Sequence, residues 1–411
     1  MSLETSSNSF PATAEAVVIG GGVNGLSAAY QLTRKGIRPV VLERAHIGAG
    51  ATGKSGALVR AHYTNPQETQ LALASMRIFR GWAEQVGAGD PGLEQVGFLR
   101  LVSPDDEEAL RRNVAMQREL GSDTMIVTRD EIAFIEPFID TSDITVAAYE
   151  PSSGFADSNA TAFGFAQAAS KRGATILTGV EATRIVTEGG KITGVKTTHG
   201  AIATPIVLVA AGAFANRLLL PLDIDLGLFP RRSRVVIFRH PYDLPTNRRH
   251  RVVIDSVNSA WIAPVTPTST LIGVTVGDRD GTDPTDFEET LEQSYIDLAR
   301  RTLARRFPAF ANSTMRGGWT GVYMQSPDGH PIIDKLDQID GLFVMAGDSG
   351  TSFKTAPAIG SCCCDRRWRT TLHGHDAIPC QQIREGKTRI DEFHNTASRR
   401  KSRSCGESPG L

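Results

Sequence analysis

Residues 14–25, Ala-Glu-Ala-Val-Val-Ile-Gly-Gly-Gly-Val-Asn-Gly, constrain this chain's fold more than any other stretch. An apolar run leads into Gly20-x-Gly22-x-x-Gly25, a helical segment follows over 26–35, and a second apolar run at 39–42 ends on Glu43, 23 residues after Gly20. Strand, glycine turn, helix, strand and terminal acid in that order form the βαβ unit that holds a dinucleotide. Gly20 makes the tight turn, Gly22 lets the backbone approach a pyrophosphate, and Gly25 lets helix and strand pack closely. Val23 and Asn24 lie within the glycine turn, just before the helix N-terminus, whose free N–H groups and partial positive charge face the phosphates. Glu43 can accept from ribose hydroxyls.

The chain has 411 residues, 40% hydrophobic and 22% charged, enough for two packed domains. A formal net charge of −1 argues against electrostatic recruitment to nucleic acid. No apolar run has the length of a membrane span, and the polar start does not read as a secretory signal, so a cytoplasmic protein is expected. All five cysteines lie at Cys362, Cys363, Cys364, Cys380 and Cys405, which excludes a disulfide framework for the body of the chain. Cys362–Cys364 with His373, His375 and Cys380 lack a repeated ligand spacing, so no metal site is expected.

Beyond Glu43 a glycine-rich loop spans 48–56, and a helix is predicted over 67–85. From Val96 the pattern changes: a strand at 96–103, a helix at 105–120, then a short helix from Asp130. The first pattern returns with a helix at 160–171, a strand at 174–181, a hairpin arm at 191–198 and a buried strand at 206–212. Strands are predicted at 234–238, 252–255, 260–264 and 270–276, followed by a helix over 286–306. A last buried strand at 341–346 opens into Gly347-Asp-Ser-Gly-Thr-Ser-Phe-Lys354, and His330 to Asp334 reads as a turn leading into a strand.

The predicted architecture is α/β: a discontinuous Rossmann-like, glutathione-reductase-like cofactor domain (14–94, 151–225, 331–360) with an inserted α+β substrate domain (95–150, 226–330) on an antiparallel-rich sheet. Residues 1–13 are expected to be disordered. A late strand ending in a glycine loop suits an extended cofactor with a second contact, which favours FAD over NAD. Residues 361–411 carry ten Lys and Arg against six Asp and Glu, lose periodicity and hold every cysteine. They read as a foreign segment from a shifted frame and are expected to be disordered.

The chain resembles the D-amino-acid oxidase-like family of FAD-dependent oxidoreductases, in the branch of sarcosine oxidases, sarcosine oxidase β subunits and dimethylglycine dehydrogenase-like enzymes. The resemblance spans about residues 14–360. Besides the glycine turn it rests on Thr52-Gly-Lys-Ser-Gly-Ala-Leu-Val-Arg-Ala-His-Tyr63, Thr178-Gly-Val-Glu181, Val209-Ala-Ala-Gly212, the 323–334 segment and the 346–354 loop. It implies that Gly20, Gly22, Val23, Asn24, Gly25, Glu43 and Arg44 hold the ADP half of FAD, with Val180 at the adenine and Gly212 nearby. Lys54, Ser55 and Gly56 would line the flavin side, with Gly347, Asp348, Ser349, Gly350 and Thr351 at the ring and ribityl chain. Arg60 and Lys354 match the pair such enzymes aim at a substrate carboxylate, and Tyr323 matches an active-site tyrosine. His62 reads as an active-site residue or, more commonly for a lone histidine, as a hydrogen-bonded structural one.

The implied reaction is oxidation of a C–N bond of a small amino acid or N-methyl amino acid to an imine. Gly321 and Ser158 stand where relatives carry flavin-linking residues, so non-covalent FAD is expected. No lysine occurs between Lys196 and Lys335, where monomeric sarcosine oxidases place one over the flavin. That tilts the acceptor from O2 towards a quinone or electron-transfer protein. A partner subunit is a further expectation. Competing readings are an FAD-binding subunit without turnover, and an oxidoreductase of the same fold acting on a hydroxy acid or glycerol phosphate. Arg231, Arg232 and Arg234 are expected on a solvated strand edge. Arg300, Arg301, Arg305 and Arg306 are expected on a wet helix face.

Overall fold

The computed structural model describes residues 10–361 except 243, 245–248 and 277–282. The cysteine-bearing tail therefore lies outside the described residues.

Ala16–Ile19, Pro39–Glu43, Val207–Val209, Thr175–Thr178 and Leu342–Ala346 run parallel in one six-stranded sheet, and Ile332–Lys335 closes its edge antiparallel. The central strands are buried on both faces, which is why they read as unbroken apolar runs and not as alternating ones. On one face lie the helices Val23–Arg34, Pro66–Arg80 and Ser158–Lys171, which share one core through Leu26, Tyr30, Met76 and Phe165. On the other lies a three-stranded antiparallel sheet, Ala182–Glu188, Lys191–Thr197 and Gly200–Ala203. Ala16–Ile19 has Pro39–Glu43 on one side and Val207–Val209 on the other, and this reversal of strand order opens a crevice at the carboxyl ends.

A second sheet of eight strands takes Phe98–Leu101, Met125–Thr128 and Val146–Glu150 from the first half of the chain. The others are Phe229–Arg239, Val252–Asp255, Ala260–Thr266, Ser269–Val274 and Met315–Gln325. Its pairings are antiparallel except that of Phe98–Leu101 with Val252–Asp255. One face is sealed by the helix Gln293–Arg306 over Leu99, Val253, Ile262, Ile272 and Phe238.

Several expectations are corrected. Residues 10–13 are placed: Ala203 N–H donates to Ala12 O at 2.9 Å and the Phe10 ring stacks on His199 at 6.2 Å. The helix foreseen over 67–85 breaks at Gly81 into Pro66–Arg80 and Trp82–Gln85. The helix foreseen from 286 starts only at Gln293. Arg306 is not on a wet face, because its side chain is 2% exposed and clamped between Asp255 (2.7 Å) and Asp143 (2.6 Å). Phe229–Arg239 pairs with Met315–Gln325 along its length but with Ser269–Val274 only from Val235 onward, so Arg231, Arg232 and Arg234 do lie on an open strand edge, but half-buried and not solvated.

Candidate active site

The glycine turn leads into a cavity of about 450 Å3 at the carboxyl ends of Ala16–Ile19 and Val207–Val209. Gly20 has φ +119°, and an added Cβ would lie 2.2 Å from Ala210 O; at Gly25 it would lie 2.1 Å from Gly20 O. Both are therefore closed to larger residues by backbone contact. Gly22 is different: a Cβ there would meet only Thr52 Oγ1, at 3.2 Å. It caps the helix Val23–Arg34 with no side-chain hydrogen bond. Val23 N–H donates to Thr52 Oγ1 at 3.1 Å, and the buried Asn24 Oδ1 has no partner among the described residues. A helix N-terminus left open to a cavity, beside an orphaned amide oxygen, suits a diphosphate and the groups attached to it.

Glu43 has a structural duty as well. Its Oε2 accepts from Gly21 N–H and its Oε1 from Ala45 N–H, both at 2.8 Å, so it braces the turn and keeps lone pairs for ribose hydroxyls. Arg44 lies 3.8 Å over the Phe214 ring. Val180 N–H is committed to Glu43 O at 3.0 Å, so a ligand could meet Val180 only at its carbonyl or side chain. Gly212, with φ +53°, completes this wall.

The cavity continues into a second of about 600 Å3, the two sharing Asn24, Thr52, Lys54 and Asp348. At the junction Lys54 pairs with Glu289 and its ammonium sits 5.1 Å over Phe287, while Trp319 Nε1 donates to Lys54 O at 2.9 Å. Ser55 Oγ accepts from Ala57 N–H at 3.0 Å, and a Cβ on Gly56 would fall 2.2 Å from the Trp261 ring. Opposite stands the final loop, with Gly347, Ser349 and Gly350 at φ +64°, +50° and +72°. Ser349 holds this left-handed conformation, unusual for a non-glycine, through Ser326 N–H donating to its Oγ at 3.2 Å and its own bond to Gly347 O at 3.1 Å. Asp348 Oδ1 accepts from Gly350 N–H at 3.0 Å, and Thr351 N–H donates to Asp348 O at 2.8 Å.

The second cavity brings together Arg60, Lys354 and Tyr323 from three distant parts of the chain. Lys354 is 5% exposed; its Nζ donates to Thr351 O at 2.8 Å, and the Tyr63 hydroxyl donates to the same oxygen at 2.9 Å. Both cations lie over the Tyr63 ring, Arg60 at 4.9 Å and Lys354 at 5.0 Å from its centroid. Arg60 donates to His62 O, and its Nε is buried without a partner among the described residues. Burial, with the Arg60 charge beside it, holds the Lys354 ammonium well below the usual lysine range. An anion between the two would restore its proton. Tyr323 faces the loop, since a Cβ on Gly350 would lie 3.5 Å from its ring.

His62 does not belong to this group. It lines neither cavity, lies against Phe98, and burial with the Arg60 and Arg100 charges pushes it down to about 3. Arg231 lies directly across from Tyr323, so the two leave the sheet on the same face. Arg232 and Arg234 line the cavity too and pair with Glu292 at 2.7 and 3.2 Å. Sequence reasoning passed over Arg100, although an arginine between Leu99 and Leu101 in an alternating strand marks the face opposite the core. It also passed over Thr52 and Phe214, which carry no signal of their own.

A glycine turn, a braced acid and a second loop around one continuous cleft define a flavin-dependent oxidoreductase. The profile of the DAO family, FAD dependent oxidoreductase, matches residues 15–366, and the chain belongs to that family. It is 25% identical over 354 residues to a glycine oxidase of Geobacillus kaustophilus, covering 84% of this chain and 90% of the relative. It is 27% identical over 368 residues to a sarcosine oxidase subunit beta of Rhizobium meliloti, covering 85% and 83%. Among solved structures it is similar to L-proline dehydrogenase from P. horikoshii, with TM-score 0.81, 27% identity and coverage of 88% and 95%. The protein is FAD-dependent. No helix among the described residues is long and apolar enough to cross a membrane.

Proposed function

We propose that this chain oxidises the C–N bond of a small amino acid or N-methyl amino acid to an imine, which water then hydrolyses. The observation that carries this reading is the meeting of Arg60 and Lys354 beside the 347–351 loop, on a cavity continuous with the one at the glycine turn. FAD, when bound, supplies the acceptor for the hydride equivalent. The protein's own part is alignment and field. Arg60 presents a planar fork to a carboxylate and Lys354 a compact charge, and two unlike cations fix the carboxylate's position and tilt. The same positive field disfavours an ammonium group on the substrate, so the amine is held neutral, the form that can lose hydride. Tyr323 borders the loop and limits the substrate's depth.

The glycine oxidase and sarcosine oxidase subunit beta relatives support a small amine substrate, and the latter supports a partner subunit. Gly321 has Lys54 Cδ 3.0 Å from where its Cβ would be and offers no linking atom, which favours non-covalent FAD. Ser269–Val274 carries no lysine, and its Gly273 is overlain by Trp261, which favours an acceptor other than O2. The test is anaerobic mixing of the holoprotein with glycine, sarcosine, dimethylglycine, L-proline and D-amino acids, against lactate and glycerol phosphate. Bleaching of the flavin by an amine supports the reading; bleaching only by the hydroxy compounds, or by none, overturns it.

A further inference from the structure

Phe98–Leu101 alternates strictly. Leu99 and Leu101 are fully buried in the core beneath the eight-stranded sheet, so Phe98 and Arg100 leave its other face. In register Arg100 adjoins Ile254, Ile254 adjoins Trp261 and Trp261 adjoins Gly273, and all four line the 600 Å3 cavity. Glycine at 273 lets the indole lie flat, since a Cβ there would be 2.4 Å from Trp261 Nε1. The cavity floor is thus a flat apolar surface that ends at a guanidinium.

That guanidinium makes no ion pair or side-chain hydrogen bond among the described residues. Asp255 is already committed to Arg306 at 2.7 and 3.2 Å and to Asn258 at 2.7 Å. Asp106 is exposed and bonded to Ser103 at 2.8 Å. Arg60 adds a like charge, and burial together with that charge lowers Arg100 to about 10. One substrate carboxylate satisfies Arg60 and Lys354 but leaves Arg100 facing the same cavity uncompensated. A half-buried guanidinium that faces the cavity without a counter-ion is placed to take an anion that arrives with the substrate.

We propose that the substrate carries a second anionic group and that Arg100 selects for it. This rests on the amine-oxidation reading above. The substrate class is an amino-dicarboxylate or N-carboxyalkyl amino acid. One carboxylate lies between Arg60 and Lys354, the other at Arg100, and the carbon chain joining them lies over Trp261.

The test compares kcat/KM for flavin reduction by monoanionic amines (glycine, sarcosine, L-proline, D-alanine) with that for dianionic ones (D- and L-aspartate, D- and L-glutamate, iminodiacetate). The wild-type holoenzyme should favour a dianionic amine by about 10- to 100-fold, the worth of one charge-assisted contact. In Arg100→Gln that ratio should fall towards one, and Arg100→Lys should recover part of it. FAD content and melting temperature of each variant establish that it is folded, and the wild-type ratio stands as evidence without any variant. A wild-type ratio near one, or a ratio unchanged in folded Arg100→Gln, overturns the inference and leaves amine oxidation standing. Failure of every amine in both classes to reduce the flavin overturns both.

Discussion

At the scale of single residues, the proposed chemistry depends on cations that have backbone hydrogen bonds but no ion pair among the described residues. Lys354 is buried, and its downward shift has a consequence whose sign can be worked out. A carboxylate binds best to the ammonium form, so affinity for a simple carboxylate should weaken as pH rises through the lysine's depressed range. Lys354→Met should abolish that slope, as titrations of the holoenzyme with acetate at several pH values would reveal. Arg60→Ala should lower kcat/KM for amino-acid substrates by about 2–3 kcal/mol, the cost of one lost contact to a charged group. Combined with Lys354→Met it should cost less than the sum, because both residues serve one carboxylate; steady-state kinetics of the double mutant checks this. That Arg60, Lys354 and Tyr323 would come together was expected from the family resemblance, and the second cavity does bring them together. Arg100 was not foreseen, because what matters about it is the absence of a carboxylate nearby, and that exists only once the strands are paired. His62, read from sequence more readily as structural than as an active-site residue, lines neither cavity. Arg60 lines the second cavity, whereas His62 is packed against Phe98 at 6.3 Å.

At the scale of elements, the runs the sequence displayed best were those buried on both faces. Ala16–Ile19, Pro39–Glu43 and Leu342–Ala346 are continuous apolar stretches because parallel strands covered on both sides need no polar face. Met315–Gln325 escaped notice because Gly317, Gly318 and Gly321 dilute its pattern. Only pairing with Phe229–Arg239 explains it: a Cβ on Gly318 would sit 2.4 Å from Val235 O. The helix Gln293–Arg306 shows the limit of reading charge from sequence. Arg301 and Arg305 are exposed as foreseen, whereas Arg306 turns inward to two aspartates. Arg306→Leu should destabilise the protein by about 3–5 kcal/mol, because it leaves Asp255 buried and unpaired. Urea denaturation of the holoprotein would measure it, and Arg301→Leu, on the wet side, should change stability by no more than about 0.5 kcal/mol.

At the scale of the molecule, two sheets meet along one cleft, and pH should act on both. Burial lowers His62 to about 3 and His250 to about 4. The unfolded chain therefore takes up these protons first, and stability should fall as pH drops from about 6.5 towards 4. His330, raised by Glu68 at 2.7 Å, works in the opposite direction and favours the fold below its unfolded range. Burial lowers His240 as well, so with three histidines against one, melting temperature should decline over that window, and His250→Gln should flatten the decline. The broad architecture was readable because the cofactor motifs recur in order along the chain, but the second cavity, built by strands far apart in sequence, was not. The account turns on a carboxylate held at the flavin's reactive end by Arg60 and Lys354. Its most direct measurement is the visible spectrum of the oxidised holoenzyme during titration with acetate, which requires no turnover. A saturable perturbation, weakened at least about 10-fold in Arg60→Ala, is the predicted result; no perturbation, or equal affinity in the variant, would contradict it.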